Sequence, residues 1–134
     1  MSKIISFVWT TPALLAGRKT CTRRFWNPAY AARFEAEERV QAWNRSPRTG
    51  QGRQVAWIRL TAKPYWEALS KMPDSDYEAE GFAFFAEHPE RLTPAYGPMW
   101  TSWASFDAWR ASGEYMWVVR FNLEDVLAEA RQIT

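Results

Sequence analysis

The chain has 134 residues, 47% of them hydrophobic and 24% charged, with a net charge of +2; this suits one folded unit with a single core and excludes a long disordered polymer. No apolar run approaches the roughly 20 residues needed to span a bilayer, so no membrane partner is expected. A single cysteine, Cys21, and a single histidine, His88, exclude an internal disulfide and the usual zinc sites; no metal or cofactor is expected, and the cytoplasm is the expected compartment.

Residues 4–9 are apolar and β-branched and read as a buried first strand. No small-residue cleavage site follows them, so a signal peptide is not indicated. Thr10 or Thr11 then caps a short helix with Pro12 in its first turn, and Gly17 supplies the left-handed stop. Arg18 and Lys19 come next, where the helix C-terminus favours cations, and residues 20–24 read as a short extended segment.

Asn27-Pro28 opens a predicted helix over residues 29–43, with Ala29, Ala32, Ala36, Val40 and Trp43 on one face. Ser46-Pro47, Gly50 and Gly52 mark a loop over residues 44–52. Residues 54–62 form the clearest strand. Ala56, Ile58, Leu60 and Ala62 make its core face, while Val55, Trp57, Arg59 and Thr61 make a mixed face that could look into a cleft.

Asp74 is the expected cap of a helix that ends at Gly81, and residues 82–86 form an aromatic patch. Residues 92–103 read as a long Trp-decorated loop, and residues 105–111 as a short helix with Phe106 and Trp109 inward. Residues 115–121 form a strand with Tyr115, Trp117, Val119 and Phe121 on one face. Asn122 then caps a last helix that buries Val126, Leu127, Ala130 and Ile133.

Two features stand out from this pattern. Residues 1–66 carry 12 Lys/Arg and 3 Asp/Glu, while residues 67–134 carry 5 and 12. A basic surface facing a polyanion and mutual neutralisation of the two halves both account for the split. Nine tryptophans are the second feature. Most belong in a core, and a few could line a cleft that stacks a flat ligand.

The run Gly17-Arg18-Lys19-Thr20-Cys21-Thr22-Arg23-Arg24, after a strand and a short helix, resembles the ASCH domain, a branch of the PUA-like superfamily. Ala79-Glu80-Gly81-Phe82, preceded by Asp74-Ser75-Asp76, resembles that family's acidic E-G-F element. The resemblance implies an α+β fold, a small PUA-like β-barrel of five to six strands with flanking helices. Residues 1–134 would form a single ASCH/PUA-like domain, with an inserted helix around 28–45 and a Trp-rich elaboration around 96–109.

The implied function is binding of a nucleic acid, RNA above all, or of a nucleotide in a basic cleft. Some small members resemble amidohydrolases that deacetylate N(4)-acetylcytidine, others resemble ribonucleases, and a modified-base reader is a third reading. By match to the motifs, Lys19 would be the base, Thr22 the nucleophile and Glu80 the orienting carboxylate. Arg18, Arg23, Arg24, Arg59 and Lys63 would meet phosphates, and Trp26 or Trp57 would stack a base.

The residues themselves are compatible with that chemistry. A threonine hydroxyl needs a neighbouring base, and a lysine serves only if burial or a nearby cation lowers its pKa. On a regular strand, Lys19 and Thr22 would point to opposite faces, so Lys19 must belong to the turn after Gly17. The plain alternative is a structural Lys19–Glu80 ion pair with Thr20 and Thr22 as ordinary strand residues. Cys21 reads as a small buried filler.

Overall fold

The computed structural model describes residues 2–92 and 98–131. Strand β1 (Ile4–Ser6) leads through one 3-10 turn into helix α1 (Thr11–Leu15), and strand β2 (Cys21–Arg24) follows. Helix α2 (Pro28–Ala31) is a single turn. Strands β3 (Arg39–Trp43) and β4 (Gln54–Leu60) form a hairpin, followed by β5 (Tyr65–Ala68). Helices α3 (Asp76–Ala79), α4 (Phe82–Glu87) and α5 (Trp103–Arg110) precede the long strand β6 (Tyr115–Val126) and the one-turn helix α6 (Ala128–Arg131). No helix among the described residues is long and apolar enough to cross a membrane.

Six strands form one curled mixed sheet, a half-barrel, in the order β1-β3-β4-β6-β2, with β5 pairing β6 as well. The β1–β3 pair is parallel and the others are antiparallel. Strand β6 joins the two parts of the sheet. Residues 115–118 pair with β5, residues 117–120 with β2, and residues 121–126 with β4. Register shifts at Ala42/Trp43 and Trp57/Ile58 bend β3 and β4. The main core lies inside this curl and includes Val40, Ala42, Ile58, Leu60, Val119 and Phe121. The expected small α+β architecture, a curled sheet of six strands with flanking helices, is the observed one.

Several expected elements differ. The helix predicted over residues 29–43 is one turn of helix followed by strand β3. Val40 and Ala42 are fully buried between outward Arg39, Gln41 and Trp43, which is a strand's alternation. Both β1 and β4 supply backbone partners there, and tertiary pairing overrides a weak helical spacing.

The helix expected from Asn122 is likewise the second half of β6. Asn122 stands opposite Arg59 on β4, and Arg39 and Arg59 both bind Glu124. Only α6 is helical, with Ala130 buried, and Ile133 lies outside the described residues. On β6 Val119 and Phe121 are buried, but Tyr115 is exposed and Trp117 only partly buried, while Met116 on the other face packs into a second apolar cluster with Leu69, Met72 and Phe106. Asp74 caps no helix with its side chain, which instead pairs with Arg110. Strand β5 has only four residues and follows Pro64, too little for a strand pattern to show in the sequence.

Gly17 (φ 76°) and Gly81 (φ 97°) both adopt the left-handed conformation that the chain needs next to the site. A Cβ at Gly81 would lie 3.0 Å from the Ala13 Cβ and 3.7 Å from the Lys19 Cβ. Gly81→Ala is expected to lower the unfolding free energy by about 1–2 kcal/mol, read as a fall in the urea midpoint. An unchanged midpoint would show that the backbone there relaxes freely.

Candidate functional site

The turn after α1 decides where Lys19 goes. Gly17 closes the helix on the Leu14 carbonyl, and the next two amides, of Arg18 and Lys19, both donate to the Ala13 carbonyl. The chain thus folds over the helix end before β2 begins. Thr20 then donates its amide to the Ala79 carbonyl, which ties the motif to α3. As a result Lys19 points inward, and its side chain is only 2% exposed.

Lys19 Nζ donates to the Glu80 carbonyl at 2.8 Å and to Glu80 Oε1 at 3.3 Å. Arg23 Nη1 donates to Glu80 Oε2 at 2.6 Å, and Arg23 Nη2 to Asp76 Oδ2 at 2.6 Å. Arg120 then grips both Asp76 oxygens, at 2.9 and 2.8 Å, and its Nε donates to the Tyr65 hydroxyl. Lys19, Glu80, Arg23, Asp76 and Arg120 therefore alternate in sign along one buried chain. Arg23 Nε lies within it without a protein partner.

Burial pushes the Lys19 ammonium below its ordinary pKa, against the pull of Glu80. Asp76 is raised by burial, but hydrogen bonds and charge from Arg120 and Arg23 outweigh this and hold it below the usual carboxylate value. Burial lowers the Arg24 guanidinium to about 10, which leaves it charged at neutral pH. The Cys21 thiol touches Glu80 Oε2 and Arg23 Nη1, both at 3.6 Å. Burial and Glu80 push its pKa well up, so it is a poor nucleophile.

Lys19, Thr22 and Glu80 all line one cavity of about 570 Å³. Arg23 and Arg24 share that wall. Arg24 Nε donates to Thr22 Oγ1 at 3.2 Å, and Arg24 Nη2 to the Ser6 carbonyl at 2.6 Å. The aromatic residues Trp9, Phe82, Trp100 and Trp109 line the same cavity. Trp109 stacks on Phe82 at 5.9 Å, and Trp100 meets Trp9 edge-on at 6.3 Å. Val8, at φ 49° and 51% exposed, also lines the cavity. That conformation is costly for a β-branched residue.

The other expected binding residues lie elsewhere. Arg18 reaches outward to Glu78 and Glu87. Trp26 stacks on Phe34 at 4.7 Å against the main core, which its apolar area favours. Trp57 lies under Arg39, whose guanidinium is 4.0 Å from the ring centre. Arg59 is held by Glu124 and the Glu37 carbonyl. Lys63 donates to the carbonyls of Ala32 and Phe34 and to Glu35. These cations are occupied by partners within the chain.

The aromatic wall, Asp76 and Arg120 were not picked out from the sequence as site residues. Nothing in a sequence separates a cleft tryptophan from a core one. Asp76 looked like a helix start, and Arg120 sits on the strand face opposite the apolar one. Among the described residues, no cluster of His, Cys, Asp and Glu could hold a metal ion.

No family model matches the chain, and no curated protein sequence matches it. Among solved structures, it is similar to a protein from Enterococcus faecalis that carries the family model DUF984, at 18% identity and a TM-score of 0.58, over 96% of this chain and 83% of that one. It also aligns with a tyrosine-to-phenylalanine mutant of ZmASCH from Zymomonas mobilis, at 11% identity and a TM-score of 0.46, over 97% and 78%. The fold is like that of the Enterococcus faecalis protein. At these identities the likeness concerns fold alone.

Asp76 gives the network a definite pH signature. Its folded pKa lies below the ordinary 3.8, so its contribution is full above the carboxyl range and is lost as pH falls through the folded value. Asp76→Asn is expected to remove that acid limb and to cost about 3–5 kcal/mol at neutral pH, because it leaves buried arginines uncompensated. Urea unfolding of both proteins between about pH 2 and 7 tests this. Parallel curves would separate Asp76 from acid stability.

Proposed function

We propose that the cavity binds one flat, nucleobase-sized ligand, a nucleoside or a single nucleotide of an RNA strand. The observation that carries this reading is the convergence of Lys19, Thr22 and Glu80 on one cavity that three tryptophans also line. Its volume of about 570 Å³ falls in the range of small-molecule sites, which combine apolar walls with a few placed polar groups. The aromatic wall suits a base plane, since stacking accepts any base. Lys19, Arg23 and Arg24 outnumber Glu80 on the polar wall, which favours electron-rich groups such as a ring carbonyl or an acyl oxygen.

Quenching of tryptophan fluorescence by cytidine checks this reading. Trp100→Ala is expected to weaken binding roughly tenfold, in line with about 1–3 kcal/mol per stacked base. Failure of cytidine, uridine, adenosine and guanosine to bind at millimolar concentration would refute the reading.

A second reading, amide hydrolysis on an acylated nucleoside, is favoured by the lowered pKa of Lys19 beside Thr22. Arg24 donates to Thr22 Oγ1, so the threonine proton is free to leave in another direction. In this scheme Thr22 Oγ attacks the acyl carbonyl while its proton passes to the neutral Lys19 amine. The C–N bond then breaks, Lys19 returns the proton to the departing nitrogen, and the acyl group rests on Thr22 as an ester. Water hydrolyses the ester, releasing the carboxylic acid and restoring the hydroxyl. Lys19 and Thr22 share no hydrogen bond, so the proton travels through a bound water or the ligand. Glu80 holds the lysine in place through both its carbonyl and its carboxylate.

This scheme predicts release of cytidine from N(4)-acetylcytidine. The rate should rise with pH through a pKa below the ordinary lysine value of 10.5, because only the neutral amine accepts a proton. Lys19→Ala is expected to lower kcat/KM by about 100-fold or more. Wild-type turnover in that variant would eliminate the scheme and leave binding alone.

A further inference from the structure

The loop between β3 and β4 carries Arg45, Arg48 and Arg53, all exposed. None of them forms a salt bridge among the described residues, whereas Arg18, Arg23, Arg39, Arg59, Arg110 and Arg120 all do. No acidic residue occurs in the sequence between Glu38 and Glu67. Arg24 and Arg33 also form no salt bridge among the described residues, so three of the five such arginines in residues 1–66 lie on this one loop.

The loop is also built rather than loose. Asn44 and Arg53 exchange hydrogen bonds across its base, at 3.1 and 2.8 Å. Ser46 Oγ caps the Arg48 amide, and Gly50 takes a left-handed turn at φ 72°. Gly52 packs so closely that a Cβ there would lie 2.4 Å from the Arg45 carbonyl oxygen. A preorganised loop reduces the ordering cost of binding.

Its position relates it to the cavity. Strands β1 and β3 run parallel, with Ser6 opposite Trp43, and the Phe7 amide donates to the Trp43 carbonyl at 2.8 Å. Beyond that rung, β1 leads into Phe7 and Val8 of the cavity wall, and β3 leads into the arginine loop. Both leave the sheet at the same end.

We infer that the β3–β4 loop is a phosphate-binding arm, which holds the backbone of a single-stranded nucleic acid whose one base occupies the neighbouring cavity. Exposed guanidinium forks without carboxylate partners match phosphate oxygens in geometry and charge, and Arg45 is held in place by a hydrogen bond to Gln51 Oε1 at 2.7 Å. The loop arginines do not line the cavity, so the arm distinguishes a polymer from a free nucleoside. The inference extends the base-binding reading above.

The test follows the anisotropy of a labelled single-stranded RNA of about ten nucleotides across a salt series, with the full chain. Each phosphate contact on a single strand contributes about 0.7 to the salt slope. The combined variant Arg45→Gln, Arg48→Gln, Arg53→Gln is therefore expected to reduce the slope by about 2 and to weaken binding at low salt at least tenfold. Its cytidine affinity should be unchanged, and the corresponding triple lysine variant should recover the slope.

Equal slopes and affinities in wild type and the glutamine variant would overturn the inference, as would the absence of RNA binding at low salt. Competition by polyglutamate as strong as by unlabelled RNA would overturn it in favour of an acidic protein partner. Arginine-dependent RNA binding without any cytidine binding would uphold the arm and refute the base pocket.

Discussion

The burial of the Lys19 ammonium governs this structure. A lone ammonium moved into a protein interior meets a penalty of several kcal/mol after relaxation. Here the penalty is offset by a carbonyl and a carboxylate from one residue, Glu80. That carboxylate is in turn buried, so it needs Arg23, and Arg23 needs Asp76. Arg120, half-exposed and backed by Tyr65, ends the chain where solvent begins. Each group is buried only because the next one is there. The turn after α1 and the elements β2, α3 and β6 meet around this chain.

This arrangement gives the charge asymmetry of the sequence a physical basis. The basic half contributes Lys19, Arg23 and Arg24 from one turn and one strand, and the acidic half contributes Asp76 and Glu80 from one helix. Partial neutralisation occurs across that contact, and also at Arg18 with Glu78 and at Arg59 with Glu124. The two explanations of the split are thus both present, in different places. Among the described residues, Arg18, Arg39, Arg59, Arg110 and Arg120 are neutralised by carboxylates, while Arg45, Arg48 and Arg53 on the β3–β4 loop are not.

The parts of the site that are close in sequence were legible. Gly17 as a left-handed stop placed Lys19 in a turn, and the Glu80-Gly81 element supplied the facing carboxylate. Ala56, Ile58 and Leu60 showed the core face of β4 by simple alternation. The misread elements share one cause: their structure is set by distant partners. Val40 and Ala42 sit in a strand because β1 and β4 flank them, and residues 122–126 extend β6 because β4 continues beside them. The aromatic wall gathers Trp9, Phe82, Trp100 and Trp109 from four separate elements, a juxtaposition that local periodicity does not encode. Trp26, Trp57, Arg59 and Lys63 had suitable chemistry, yet their geometry commits them to other contacts.

Cys21 sits between two residues of the site, with its thiol against Glu80 and Arg23 and its side chain sealed from solvent. A thiol whose pKa is raised this far is almost wholly protonated at neutral pH, and the thiolate is the form that electrophiles attack. Its modification therefore waits for β2 to separate from α3, an event in which solvation and pKa both return toward those of a free cysteine. The single cysteine thus reports on the ionic chain at the heart of the molecule: its rate of consumption by a small disulfide reagent follows the population of the opened form, and becomes the opening rate itself once the reagent is concentrated enough to outpace reclosing.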